Sequence, residues 1–335
     1  MSKELKILQP GEKVFDIEKE PMPGGAWWWW FWLFFFDNPR DPNKPRQLMI
    51  LWSTKNVKEI KCNSLDIKLK FPIDKKNLDG AVAAWYFDGE KMHHDFLLEQ
   101  CHLKVVEDGI STDSKTPTSF TIRDIVNRVR IGDEFDFVAE AKGKHDFLKP
   151  SYHANNFIGS KGYAITKVNH LDLKGYVGGK PIKGTAYFQR VFVNAPAIPW
   201  YWGIFHFANG AVLTYTNQMA LKKAIKKQIV FFDGNERHEI KDITVKRIGG
   251  AIPEFKVSGE TNGAKARFTV SAYSHSSWTF RKKSLGMFPN KLVYNEYPAT
   301  ITDFEFINKK TGKTLTSKEL GKAVGNAEHT TGYLL

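Results

Sequence analysis

The residues best suited to chemistry in this chain stand beside aromatic rings. From Trp200 onward, one parity of positions carries Trp200, Trp202, Ile204 and His206, and the other carries Tyr201, Gly203, Phe205 and Phe207. Both sets are apolar, which predicts a strand buried on both sides or lining a cavity. A histidine two residues beyond two tryptophans is placed to give a proton into an aromatic pocket; the structural alternative is a core histidine with its hydrogen bonds satisfied. The other polar residues expected in aromatic surroundings are Gln189, Arg190, Tyr215, His275, Glu296 and Glu328. Aromatic walls bind long apolar or polyene ligands, and their π-faces stabilise a cation. A carbocation made by protonating a carbon–carbon double bond suits such a pocket.

Other chemistries find little support. In Met92-His93-His94-Asp95-Phe96, strand geometry puts His93 with Asp95 on one face and His94 on the other. No second set of ligands with metal spacing accompanies them, so no metal is expected. The serine-hydrolase elbow, the His-Glu-x-x-His zinc motif, the P-loop and the dinucleotide fingerprint are all absent. Gly159-Ser160-Lys161-Gly162 is glycine-rich without P-loop spacing. No cofactor is therefore expected, and nothing points to a paired-carboxylate glycosidase.

The elements that must position these residues read as strands. Phe135, Phe137 and Ala139 alternate with polar neighbours, as do Leu171 with Leu173, Phe268 with Val270, and Phe304 with Phe306. Between such runs stand turn pairs: Asp88-Gly89, Asp108-Gly109, Gly178-Gly179, Asn209-Gly210, Asp233-Gly234 and Asn262-Gly263. Helical patterns are expected only at Asn217 to Lys227 and Ser317 to Val324. A faint repeat is visible: a proline-led, Trp-rich strand opens at Trp27 and another at Trp200, each followed by a turn and an apolar strand. The reading is an all-β chain of two consecutive antiparallel β-barrels, residues 1–190 and 191–335, each long enough to close on a filled or ligand-holding interior.

Composition narrows the partners. The 335 residues include 25 Phe, 11 Tyr and 10 Trp, so much flat apolar surface that a large core or a ligand cavity must hide it. Lys and Arg (49) exceed Asp and Glu (36), for a net charge of +13. The positive charge is scattered except at Lys222, Lys223, Lys226 and Lys227, and no binding motif accompanies it. Nucleic acid is therefore not an expected partner. The lysine cluster suits at most a weak association with an anionic membrane surface. Cys62 and Cys101 are expected as free thiols in a reducing cytoplasm. The first 15 residues lack the apolar core of a secretory signal, and the apolar run from Ala26 to Phe36 falls short of the about 20 residues of a membrane-spanning helix. A soluble cytoplasmic protein is expected.

Four stretches carry a family resemblance. They are Gly25 to Trp30; Asn169 to Tyr187, with its Leu-x-Leu-x-Gly strand and Gly-Gly turn; Trp200 to Trp202 with Asn209-Gly210 and Leu213 to Tyr215; and Tyr294 to Glu296 with Gly325 to Tyr333. In their order and spacing the chain resembles the carotenoid 1,2-hydratase (hydroxyneurosporene synthase) family, built of two lipocalin-like barrels. Related barrels occur in tocopherol cyclase and in fungal Diels–Alderases. The sequence departs from that pattern where the family's aromatic residue is followed by Asp-His, since Tyr187 is followed by Phe188, Gln189 and Arg190. It departs again after Tyr215, where Thr216 and Asn217 replace the usual Asp.

The resemblance implies a cofactor-independent enzyme acting on a terpenoid, carotenoid or polyketide by hydration, cyclisation or isomerisation. In that picture His206 or Glu296 handles the proton, Gln189 and Arg190 orient a polar end, and Tyr187, Trp200, Trp202, Tyr215 and His275 line the pocket. Glu328 is read as a structural residue of the last strand. Two alternatives stay open: a lipocalin-like carrier of an apolar ligand, and a protein docked on a membrane surface.

Overall fold

The computed structural model describes residues 4–7, 12–158, 161–220, 223–282 and 290–334. The chain is all-β. Its first part forms a closed antiparallel barrel of 10 strands. Around the barrel run Lys161–Val177, Phe135–Glu140, Val126–Ile131, Thr118–Arg123, Gly109–Thr112, Met92–Val106, Leu78–Phe87, Arg46–Lys55, Trp27–Phe36 and Lys180–Asn194, the last pairing back onto the first. Ser151–Ile158 and Glu4–Ile7 extend the sheet from the N-terminal half of Lys161–Val177.

The second part is another antiparallel sheet, ordered Arg237–Lys241, Lys223–Phe232, Val212–Ala220, Trp200–Phe207, Ala323–Tyr333, Lys291–Asn308, Ala264–Ala272, Glu254–Glu260 and Thr244–Ile248. It curls around its own core of Phe205, Tyr215, Phe231, Phe255, Phe268 and Phe304. Ser276–Arg281 pairs with the N-terminal half of Lys291–Asn308. A hairpin from the first half of the chain, Glu59–Cys62 and Leu65–Lys68, crosses over and adds to Ser276–Arg281.

The aromatic run Trp27–Phe36 shows why both sheets are needed. Alternate strand residues face opposite ways. Trp28, Trp30, Trp32, Phe34 and Phe36 fill the barrel, while Phe31, Leu33 and Phe35 face the second sheet. Inside, Trp32 stacks on Phe34 at 5.4 Å and meets Phe188 at 4.8 Å, and the Trp30 indole donates to Val14 O at 2.7 Å. This barrel is packed with side chains. Trp200–Phe207 repeats the arrangement: Phe205 and Phe207 enter the second core, and Ile204 with Trp200 and Trp202 faces the first sheet. The outer faces of the two sheets thus meet in an apolar seam that includes Phe31, Leu33, Met49, Trp85, Ile204 and Trp278.

The turn pairs fall at strand junctions, and Gly178 and Gly179 take φ of 55° and 74°, a region open to glycine at little cost. Gly109 and Gly263 are not left-handed. The helix expected at Asn217 to Lys227 is instead a hairpin in which Asn217 pairs with Lys227. Its helix-forming lysines and alanines yield to pairing with neighbouring strands. Lys222 of the basic cluster lies outside the described residues, as do Gly159 and Ser160. Of Ser317 to Val324 only Ser317–Leu320 is helical, a single turn closed by a Thr316/Glu319 capping box. No helix among the described residues is long and apolar enough to cross a membrane.

Arg190 is 2% exposed inside the barrel. Glu20 accepts two hydrogen bonds from its guanidinium, at 2.8 and 2.5 Å, and the cation lies over Trp28 and Trp30. Removing one partner of such a pair strands a buried charge. Glu20→Ala should lower the unfolding free energy by about 3–5 kcal/mol in urea titration, and adding Arg190→Met should restore most of it. An unchanged midpoint in the single variant would mean that the pair contributes nothing.

Candidate functional site

The seam contains two carboxyl groups set opposite one another. Glu296 and Glu328 are register partners on adjacent strands, on the face that also carries Trp202, the partner of Glu328 on its other side. Their exposures are 1% and 4%. Glu296 Oε2 accepts from the Trp85 indole at 3.0 Å and from Asn326 Nδ2 at 3.3 Å, while Oε1 has no partner among the described residues. Glu328 is held on both oxygens: Trp200 Nε1 donates to Oε2 at 2.8 Å, and the Tyr294 hydroxyl donates to Oε1 at 2.6 Å.

Burial and the facing carboxylate together decide the protonation. Desolvation disfavours the charged form of each acid, and like charges this close cannot both persist in an apolar seam. Burial, then the charge of Glu328, pushes Glu296 well above the usual carboxyl range. Burial lifts Glu328 to about 7 against the pull of its two donors. The pair therefore gives up one proton near neutrality and keeps the other. Glu296 is the member that keeps it, since its Oε1 is free to bear a hydrogen while Glu328 is surrounded by donors.

Around the pair are rings and few other polar groups. Tyr187 lies 5.4 Å from Trp202, and Trp200 lies 5.7 Å from Tyr294. The Tyr187 hydroxyl donates to Gln189 Oε1 at 2.9 Å. Burial, then the charge of Glu328, keeps that phenol protonated. A small apolar cavity of about 40 Å³ opens further along the seam, lined in part by Trp27, Leu51, Ala83, Trp278 and Phe280.

Of the residues singled out in the sequence, the fold brings together Glu296, Trp200, Trp202, Tyr187 and Gln189. Four others are not free to act with them. Arg190 points the opposite way, into the first barrel. Tyr215 is in the core of the second sheet with its hydroxyl unpartnered. His275 stacks on Tyr297 at 4.9 Å and bonds Asn295 at 3.0 Å. His206 is on the seam face but has no free nitrogen. Its Nε2 hydrogen goes to the Asn169 carbonyl at 2.8 Å, so its Nδ1 accepts from the Thr185 hydroxyl at 2.7 Å. Burial and the nearby His170 hold it neutral, well below the usual histidine range.

Glu328, expected to be structural, stands opposite Glu296 instead. Trp85 and Asn326 carried no sequence signal, because their role arises only when the sheets meet. His93 contacts Asp88 at 2.7 Å rather than Asp95, which accepts from Asn63 and Trp278. No group of three or more His, Cys, Asp or Glu is placed to hold a metal among the described residues. Both cysteines are buried free thiols, pushed up to about 12 mainly by desolvation.

No family model matches the chain, and no curated protein matches its sequence. Solved structures do share its shape. A protein described as AttH from Nitrosomonas europaea superposes over 97% of this chain and 98% of its own, at 13% identity and a TM-score of 0.55. CghA with Sch210972 covers 98% of both chains at 9% identity and a TM-score of 0.49. Kievitone hydratase from Nectria haematococca covers 96% and 97% at 13% identity and a TM-score of 0.41. The first likeness establishes a common fold over nearly the whole length, and the two lower scores add nothing to it.

The acid pair sets a pH dependence. A carboxyl group raised on folding binds its proton more tightly folded than unfolded, so stability is highest below the unfolded value and falls as pH rises through the folded one. Between pH 5 and 8 the pair should cost the native state on the order of 3 kcal/mol, from the rise of Glu328 alone. Denaturant titration of native protein and of the Glu296→Gln/Glu328→Gln variant checks this. The variant should lose most of that slope; equal slopes would show that the acids titrate normally.

Proposed function

We propose that the chain is a cofactor-independent enzyme of the carotenoid 1,2-hydratase type, acting in the seam on a large apolar terpenoid, carotenoid or polyketide. The observation that carries this reading is the buried, facing Glu296–Glu328 pair among aromatic rings. Glu296, as the acid, gives its Oε1 proton to one carbon of a double bond and leaves the neighbouring carbon positive. The π-faces of Trp200, Trp202 and Tyr294 stabilise that cation without adding to it. Glu328, as the base, takes a proton either from an incoming water, giving an alcohol, or from an adjacent carbon, giving a shifted or cyclised alkene. Proton return from Glu328 to Glu296 across the strand pair resets the site.

The fate of the cation separates hydration from cyclisation and isomerisation, and it depends on whether water reaches the site.

The test starts from protein purified from its own host, with co-purifying lipid identified by native mass spectrometry and then incubated with the protein. The expected result is a bound polyene or terpenoid that changes structure. Glu296→Gln should slow that conversion by about 10²–10⁴-fold, the usual weight of a general acid, with the thermal midpoint retained. A ligand returned unaltered would establish a carrier instead. Conversion at native rate by both Glu296→Gln and Glu328→Gln would remove the acid mechanism.

A further inference from the structure

Further along the seam from the acid pair lies a second buried ionisable group. Lys55 ends the Arg46–Lys55 strand on the same outward parity as Met49 and Leu51, and it is 5% exposed. Its ammonium donates to Gly25 O at 2.9 Å and stands 4.6 Å from the centre of the Trp27 ring. No carboxylate lies within ion-pairing distance of it among the described residues. Burial, and then the charge of Lys282, brings its pKa down to about 7. An ammonium has three hydrogens to donate, and a buried one without a counter-charge is costly.

Lys55 also lines the apolar cavity of about 40 Å³, with Leu51, Ile60, Cys62, Trp278 and Phe280. That volume exceeds the about 10–15 Å³ such a cavity needs to hold one water, and leaves room for a small head group in place of solvent. Trp278 connects this end to the acids: its ring lies 6.2 Å from that of Tyr294, whose hydroxyl donates to Glu328. The seam therefore has a cation at one end, an acid pair at the other, and apolar rings between them.

We propose that Lys55 anchors the carboxylate head of an elongated apolar acid, whose hydrocarbon body runs past Trp278 to the Glu296–Glu328 pair. This rests on the seam being the substrate site and names the substrate class, an apolar carboxylic acid. A carboxylate supplies the counter-charge that Lys55 lacks and accepts its remaining hydrogens. An ester or alcohol of the same chain can accept a hydrogen bond but neutralises nothing.

The probes are cis-parinaric acid and its methyl ester, titrated into the full-length protein below their micellar range and followed by polyene fluorescence. The acid should bind about 10- to 100-fold more tightly than the ester, the range of one charge-assisted hydrogen bond. Lys55→Met should abolish the acid's preference, with the ester losing far less affinity than the acid, and Lys55→Arg should keep the preference. Equal binding of acid and ester, parallel loss of both in Lys55→Met, or no binding of either would overturn the anchor. If Lys55→Met does not fold, the acid–ester ratio of the native protein and of Lys55→Arg still decides.

The two readings fail separately. A Lys55-dependent preference together with turnover that survives both Glu296→Gln and Glu328→Gln would keep the anchor and discard the acid mechanism. Equal binding with turnover that depends on Glu296 would do the reverse.

Discussion

Two carboxyl groups facing each other across a strand pair, both almost wholly buried, cannot both be charged. The constraint originates in the register that sets Glu296 opposite Glu328. It becomes severe only because the first barrel covers that face and contributes the Trp85 indole as a donor to Glu296. The site thus belongs to neither sheet alone. A donor from one sheet reaches an acid on the other, so small shifts in packing between the sheets would change which oxygen bears the proton.

That packing is fixed by polar clasps as well as apolar area. Gln47 of the first barrel donates both to the Tyr273 hydroxyl, at 2.6 Å, and to Gly325 O, at 2.8 Å. His206 of the second sheet is tied to Thr185 and Asn169 of the first. Each clasp joins the two sheets, and Gly325 is on the same strand as Glu328. They give His206 a role other than proton transfer: it holds the sheets in the alignment on which the acid pair depends. The filled first barrel supports the same alignment from behind, since the strand that buries Trp28, Trp30 and Trp32 inward presents Phe31, Leu33 and Phe35 to the seam.

Much of the fold could be read from the sequence, because strand alternation and turn pairs are local signals. Phe135–Glu140 alternates buried and half-buried positions as its pattern indicates. The parity of Trp200, Trp202, Ile204 and His206 correctly placed all four on one face. Local signals misled where tertiary pairing outweighed them, as at Asn217 to Lys227, whose helix-forming residues form a hairpin. The candidate site was legible only in part. Glu296 stood out as a polar residue among aromatics, but its partnership with Glu328 depends on register between strands roughly 30 residues apart, which no local pattern encodes. The same reason separates Gln189 from Arg190: adjacent residues on a strand point to opposite faces, so one borders the seam and the other is sealed inside the barrel with Glu20.

The claim on which the rest depends is that the pair keeps a proton at neutral pH. Infrared spectroscopy of the protein in light and heavy water reads this directly, through the C=O stretch of a protonated carboxyl group and its shift on deuteration. At pH 7 native protein should show such a band, and the Glu296→Gln/Glu328→Gln variant should lose it. No band at pH 7, or one that is the same in the variant, would contradict a retained proton and with it the acid chemistry of the seam.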